Sequence, residues 1–389
     1  MKIILFSPYS PALDTSACAR QIYDKIKFLR KMGHAIYLFC FCSEADRGRI
    51  VKIAPYCAEV YVAYLKDYLV FPKDSKVFAR RVASLCNSIK IDLLQCENSY
   101  MSRYIPLNIN LPMVLVEHEV LSRSFYERAR FERMIIRKII LYLRSVKKSY
   151  EERAWYRRFA RIIVFTDYDR SLIKRIHKLD SLEVVPLGID VESYPYFKAD
   201  GKEFDLIFAA CFSHCQNNSG IIYFLREILP LVRKKSPNVS VMIAGSTISG
   251  QVRRLSKFYR NIHASGYVDD IRPIYLRSRV AIVPIYSGSG MRYKILEAWV
   301  MQLPVVSTSI GARGFLINNA MRIADKKEDF AAQIIDLLLK EHVSRKLGLE
   351  ARKIAEESYD WADTVKKYDH IYSEVTREYK EVSSNNCNS

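Results

Sequence analysis

Residues 287–314 read SGSGMRYKILEAWVMQLPVVSTSIGARG. Gly288 and Gly290 flank a tight loop, and the apolar rhythm from Ile295 marks a helix whose start carries Arg292 and Lys294. Glu297 follows one turn later, then a buried strand from Pro304 to Ser307 and a second glycine turn. Unpaired amides at a helix start, joined by two cations, make a socket for a diphosphate. A carboxylate one turn deeper can accept hydrogen bonds from sugar hydroxyls.

The same alternation runs through the chain. In the first half, apolar runs at 3–7, 35–40, 60–65, 91–97, 113–117, 161–166 and 182–186 alternate with helical patterns near 17–32, 75–88 and 168–179. In the second half, strands are expected at 204–210, 239–245, 262–268, 279–284 and 304–307. This rhythm predicts α/β architecture with doubly wound parallel sheets. The stretch PLGIDVESYPYFKADGKEF, residues 186–204, is rich in proline, glycine and charge and reads as a linker. The expected order is an N-terminal domain over 1–185, a linker over 186–203 and a C-terminal domain over 204–360. An amphipathic helix over 361–380 is expected to pack back across the junction, and a polar, disordered tail over 381–389 to follow.

A chain of 389 residues suits two domains, and its 50% apolar content is enough for large cores. No apolar run reaches the roughly 18 residues that span a bilayer, and the opening run of MKIILFSPYSPALD is too short for a signal peptide. Nine cysteines lie scattered without paired CxxC spacing, so neither a zinc site nor a disulfide framework is indicated. Free thiols in a reducing cytoplasm are the expectation.

The formal charge of +19 points to an anionic partner. About half of the surplus lies between Arg123 and Arg161, where thirteen Lys or Arg face four Glu. Ile135, Ile136, Ile139, Ile140, Leu143, Val146 and Tyr150 interleave there at helical spacing. A basic amphipathic helix, or a pair of helices, adsorbs to anionic bilayers by joining apolar insertion to charge attraction. The competing expectation is a long helix whose apolar stripe packs on its own domain.

Longer stretches carry a family resemblance. FAACFSHCQNNSGIIYFLREILPLVRKKSPNVSVMIAG (208–245) and IHASGYVDDIRPIYLRSRVAIVPIYSGSG (262–290) resemble the donor domain of family 4 glycosyltransferases with the GT-B architecture. YEERAWYRRFARIIVFTDYDRSLI (150–173) and VVPLGID (184–190) are similar to the end of that family's acceptor domain. The resemblance spans nearly the whole chain and is strongest from about 150 to 315. It implies two Rossmann-like domains facing a central cleft, with ligands near the carboxyl ends of the strands.

What the resemblance implies for the site can be placed residue by residue. Glu297 matches the second glutamate of a paired motif that binds donor ribose hydroxyls. The first of the pair falls at Ser289, which is no carboxylate, so the amides of Ser289, Gly290 and Met291 are expected to cradle the donor. Arg292 and Lys294 are the expected diphosphate partners. Ser213 sits in a loop where many relatives carry a phosphate-gripping lysine, and the turn of Gly266, Tyr267 and Val268 lies where the nucleotide base docks. His118, in VEHEVLS, matches a histidine placed over the sugar, which leaves His118 and Glu297 as the catalytic candidates. Glu97 and Glu119 are the expected acceptor contacts. His34 reads as a helix-stop residue, and Asp14, Thr15 and Ser16 replace the family's double-glycine turn.

The resemblance further implies a retaining hexosyl transfer from a nucleotide-diphosphate sugar, linked to UDP or GDP, with no metal and no cofactor. The expected acceptor is a saccharide or lipid-linked sugar in polysaccharide, lipopolysaccharide or glycolipid assembly, reached from the inner face of the plasma membrane. A GT-B nucleotide-sugar epimerase would share the architecture but would need further acid/base residues. A basic nucleic-acid-binding protein would explain the charge, yet no recognition module is present, and no nucleic acid is expected as partner.

Overall fold

The computed structural model describes residues 1–11, 17–66, 76–132, 134–194, 201–316 and 320–387. Asp14, Thr15 and Ser16 lie outside the described residues. The chain divides into two compact units, Met1–Pro186 with Trp361–Ser389, and Leu187–Asp360.

The first unit holds a seven-stranded parallel sheet. Its strands are β1 (Lys2–Ser7), β2 (Ala35–Ser43), β3 (Glu59–Leu65), β4 (Leu93–Glu97), β5 (Met113–Glu117), β6 (Arg161–Val164) and β7 (Leu182–Val184), in the order β3-β2-β1-β4-β5-β6-β7. Ile3, Ile4, Leu5 and Phe6 are fully buried because both faces of a parallel sheet are covered by helices. The strand order reverses between β1 and β4, and the loops after strands near such a switch point are where α/β sheets place ligands. Glu97 ends β4, and His118 directly follows β5.

The C-terminal helix Trp361–Cys387 completes this unit. Trp361 stacks on Phe28 with ring centroids 6.3 Å apart, and Arg161 pairs with Glu378 at 2.7 Å. The helix runs past Ser383, where a disordered tail was expected. The hydroxyls of Ser383 and Ser384 donate to the carbonyls of Tyr379 and Lys380, each at 2.8 Å, so these residues satisfy their polar groups within the helix.

The second unit holds a six-stranded parallel sheet of β8 (Phe204–Ala209), β9 (Val241–Ala244), β10 (Ile262–Gly266), β11 (Ser278–Val283), β12 (Val305–Ser307) and β13 (Met321–Ile323), in the order β10-β9-β8-β11-β12-β13. Its core is built around Trp299, whose indole meets the rings of Phe315 and Tyr359. A Cβ at Gly245 would lie 1.8 Å from the Ala210 carbonyl oxygen, so only glycine lets the β9 turn pass that close to the end of β8.

The expected linker is shorter than its composition suggests. Leu187, Ile189, Val191 and Tyr194 are buried in the second unit. Ile189 bridges to Asp360 and donates to the Tyr359 carbonyl at 2.7 Å. Apolar side chains spaced between the glycine and charged residues carry this segment into the core, so it is part of the unit rather than a tether.

Candidate active site

The loop between β11 and the helix Tyr293–Val300 is shaped by arginine. Gly288 and Gly290 adopt positive φ of 100° and 77°, which lets the backbone fold back on itself. The Arg292 guanidinium sits inside this fold. Its Nη1 donates to the carbonyls of Ser289 (2.6 Å) and Gly290 (3.2 Å), and its Nη2 to Ser287 (3.3 Å). Arg313 donates to the remaining carbonyl, that of Gly288, at 3.3 Å. Four successive carbonyls are thus held by two guanidinium groups. Arg292, expected at a diphosphate, is buried and spends these donors on the loop itself. The Ser289 hydroxyl is buried in the same loop without a hydrogen-bond partner among the described residues. Met291 turns its sulfur back to accept from the Leu187 amide at 3.4 Å.

Lys294 occupies the first turn of the helix. Its Nζ donates to Asn217 Oδ1 at 2.7 Å and lies 4.3 Å from the centre of the Phe208 ring. Burial, reinforced by the neighbouring Arg292 charge, lowers its pKa to about 7, against the opposing pull of Glu297 and Cys211. An arriving polyanion would reverse that balance and favour the ammonium form.

Asn217 Nδ2 donates to the Cys211 carbonyl at 2.8 Å. The Cys211 thiol shares a hydrogen bond with Ser213 Oγ at 3.0 Å and accepts from Ser246 Oγ at 3.3 Å. Burial alone would raise this thiol's pKa, but the hydroxyls, led by Ser213, bring it below its ordinary value. The adjacent Gly245 amide donates to the Gly266 carbonyl at 2.8 Å. Gly266, Ser213 and Lys294 therefore belong to one connected network, joined through Cys211 and Asn217. Tyr267 is exposed beside Gly266, and Val268 is half-buried.

Glu297 sits one turn beyond Lys294. Tyr194 donates to one carboxylate oxygen and Tyr275 to the other, each at 3.4 Å, which holds the carboxylate from both sides. The group keeps partial solvent access and is able to meet a ligand.

In the first unit, His118 Nε2 lies 2.6 Å from Glu97 Oε2, and Lys25 Nζ donates to Glu97 Oε1 at 2.7 Å. Gln95 donates to the same Oε1 and accepts from the Tyr372 hydroxyl of the C-terminal helix. Glu97 was expected to bind acceptor; its side chain has no exposed surface, and its oxygens are taken by Lys25, Gln95 and His118. Burial would lower the His118 pKa, but the hydrogen bonds its ring makes to Cys18 and Glu97 raise it to about 9, so the ring is an imidazolium at neutral pH. Burial pushes the neighbouring Glu117 up to about 8, which makes it a neutral acid there. Glu119 is half-buried and accepts from the Ser124 hydroxyl. His34 is buried behind the helix Ala17–Lys31, with Nε2 3.0 Å from Asp369.

Sequence reading missed Lys25, Gln95, Tyr372, Asn217, Tyr194, Tyr275 and Cys211. Lys25, Tyr372, Tyr194 and the Asn217 contact with Lys294 reach across long stretches of chain, and no local pattern marks any of the seven.

Two family models match the chain. One described as Glycosyltransferase Family 4 matches residues 18–193, and one described as Glycosyl transferases group 1 matches residues 203–340. An uncharacterized 44.6 kDa protein in the cps region of Klebsiella pneumoniae is 23% identical, over 92% of this chain and 96% of its own length. Among solved structures, a sucrose-phosphate synthase from Thermosynechococcus elongatus superposes with a TM-score of 0.77 at 14% identity, covering 97% of this chain and 100% of that one. Anabaena Alr3699/HepE, in complex with UDP and glucose, superposes at 0.72 with 14% identity, over 96% and 99% of the two chains. At such identities these likenesses establish the fold, which is GT-B.

Proposed function

The chain is a glycosyltransferase of the group 1, family 4 type, and from that premise we propose that it moves a hexosyl group from a nucleotide-diphosphate sugar to an acceptor hydroxyl with retention of configuration. The observation that carries this reading is the pairing of Lys294 and Glu297 on successive turns of one helix. A half-buried amine poised to gain charge donates to Asn217, and a carboxylate held by two phenols stands one turn further along the helix.

In this reading Lys294 neutralises the diphosphate as it departs, aided by the backbone amides of Ser289, Gly290 and Met291. Glu297 accepts from the ribose hydroxyls. In the first unit His118, held by Glu97, stays the catalytic candidate that the resemblance implies. Cations and amides supply the positive charge that a leaving diphosphate needs, so no metal or cofactor is assigned. The donor is taken to be UDP- or GDP-linked.

A relative in a cps region supports polysaccharide biosynthesis as the setting. No helix among the described residues is long and apolar enough to cross a membrane. The helix Ile135–Tyr156 instead leaves Ile136, Leu143 and Tyr150 at 72%, 65% and 72% exposure, between Arg137, Lys138, Arg144 and Lys147. An apolar stripe left uncovered on a basic helix supports peripheral binding to an anionic membrane that carries the acceptor.

A donor screen with hydrolysis readout, run with UDP- and GDP-sugars and with and without a chelator, tests the proposal. Turnover of at least one donor, unchanged by chelation and lost in Glu297→Gln, is expected. The absence of binding to any nucleotide sugar would overturn it.

A further inference from the structure

Beside the exposed stripe lies a groove of about 470 Å³, enclosed by the helices Leu121–Phe131, Ile135–Tyr156 and Asp167–His177. Three of its lining residues are Arg123, Arg153 and Arg175, and no carboxylate lines it. Arg123 is engaged by Glu127 at 2.9 Å. Neither Arg153 nor Arg175 has an ion-pair partner among the described residues, and both are exposed. Two exposed arginines from different helices, lining one concave surface with no ion-pair partner among the described residues, are matched to a phosphate, which accepts their forked donors.

Behind the lining residues the polar groups are already satisfied. The buried Glu152 accepts from the amide of Ser122 at 2.9 Å and from its hydroxyl at 2.5 Å, and His177 Nε2 lies 3.4 Å from it. Ser145 donates to the Ser122 carbonyl at 2.8 Å. These contacts close the carboxylate off and lock the three helices together, so the arginines stand on a rigid base.

The rim decides which phosphate. Val146 and Tyr150 line the groove and are also the last members of the exposed apolar stripe. A ligand lying in the groove therefore has its anionic end at Arg153 and Arg175 and an apolar surface directly beside it. A free phosphate uses only the first feature, and nucleic acid leaves the apolar stripe in water. A phospholipid uses both.

We propose that this groove binds the phosphate headgroup of an anionic membrane lipid, seating one lipid at Arg153 and Arg175 while the stripe inserts among its neighbours. The proposal rests on the membrane reading of the basic helix and adds a discrete headgroup site to it. Membrane attachment is then selective for lipids with an accessible phosphate instead of responding to surface charge alone.

Flotation of the full chain separates the two. Phosphatidylcholine vesicles are doped with phosphatidic acid or with phosphatidylserine to matched surface potential. The wild-type protein is expected to bind the phosphatidic acid vesicles roughly tenfold more tightly, as one or two added charge-assisted contacts imply. Arg153→Gln with Arg175→Gln should erase that preference. Arg144→Gln with Lys147→Gln removes the same charge from the same helix and should weaken both vesicle types alike. Thermal melting confirms that each variant is folded. Equal losses in the two double variants would overturn the headgroup site and leave simple adsorption. Calorimetric binding of glycerol phosphate without vesicles, as tight as to the lipid, would overturn the lipid assignment in favour of a soluble phosphate. Displacement from vesicles by duplex DNA in a manner abolished by the groove variants would overturn it in favour of nucleic acid. Failure of the wild type to bind any vesicle would fell the membrane reading itself, and the headgroup site with it.

Discussion

His118 Nε2 lies 2.6 Å from Glu97 Oε2, and the other oxygen of that carboxylate is held by Lys25. A buried carboxylate between two cations fixes both the orientation and the charge of the imidazole. Removing it in Glu97→Gln strands the Lys25 ammonium in the core, which costs about 3–5 kcal/mol. Chemical denaturation should show that loss, and adding Lys25→Met should recover much of it. Transfer activity should stay low in the repaired double variant, because His118 has lost the carboxylate that orients it and, with Cys18, keeps it charged. Recovery of activity together with stability would show that Glu97 serves only the fold.

The same pair sets a pH dependence. His118 has a folded pKa of about 9, above its ordinary value of about 6.5. A group raised on folding adds stability that is complete below the ordinary value and is lost as pH rises through the folded one. The first unit should therefore lose stability between roughly pH 6.5 and 9 through this residue. In His118→Asn that part of the slope should vanish. An NMR titration placing the imidazole near its ordinary value would contradict the assignment.

Lys294 behaves in the opposite sense, since burial lowers its pKa to about 7. Above that pH the free protein holds it largely neutral, and a bound diphosphate should return it to the ammonium form. Donor binding is then expected to take up close to one proton above about pH 7, and little below it. Calorimetry in buffers of different ionisation enthalpy measures this directly. Asn217→Ala, which removes the Nζ acceptor, should weaken donor binding roughly tenfold. Heat of binding independent of buffer would remove Lys294 from the diphosphate.

Much of this architecture is legible in the sequence for a physical reason. Strands of a parallel sheet are buried on both faces and so read as continuous apolar runs, as in Ile3 to Phe6 and Val280 to Val283. The strand β13, Met321–Ile323, has Arg322 between its two apolar residues, so no continuous run marks it and it was not found. Leu187 to Tyr194 misled because proline and glycine suggest exposure, whereas the alternate apolar residues are in the core. At the site, the position of Glu97 at a strand end was readable, but its direction was not. Its partner Lys25 lies on the helix Ala17–Lys31, and Tyr372, which holds the neighbouring Gln95, lies 277 residues further along the chain. Arg292 likewise reads as a ligand cation until its carbonyl partners are seen.

The resemblance places Ser289 at the position of the first glutamate of the paired motif, and its hydroxyl is buried without a hydrogen-bond partner among the described residues. An unsatisfied hydroxyl carries a desolvation cost, so Ser289→Ala should leave stability unchanged or raise it by about 1 kcal/mol. If the hydroxyl instead meets the donor, the same variant should lose several-fold in donor affinity. Stability by thermal melting and affinity by calorimetry give the two readouts from one protein. A variant that loses stability with unchanged affinity would assign Ser289 to the loop fold alone.

The exposed stripe gives a prediction that separates a core from an interface. Ile136 and Leu143 are mostly exposed, whereas Leu141 on the same helix is buried. Ile136→Ser with Leu143→Ser should change stability by no more than about 1 kcal/mol, at the limit for surface substitutions at two sites. Leu141→Ala should cost about 2–5 kcal/mol. If the stripe inserts into a bilayer, the double serine variant should lose flotation with anionic vesicles while keeping turnover on a short soluble acceptor. Retained flotation would leave the basic residues alone to account for attachment. A large loss of stability would show instead that the stripe is covered by protein in solution, and the membrane assignment would fail.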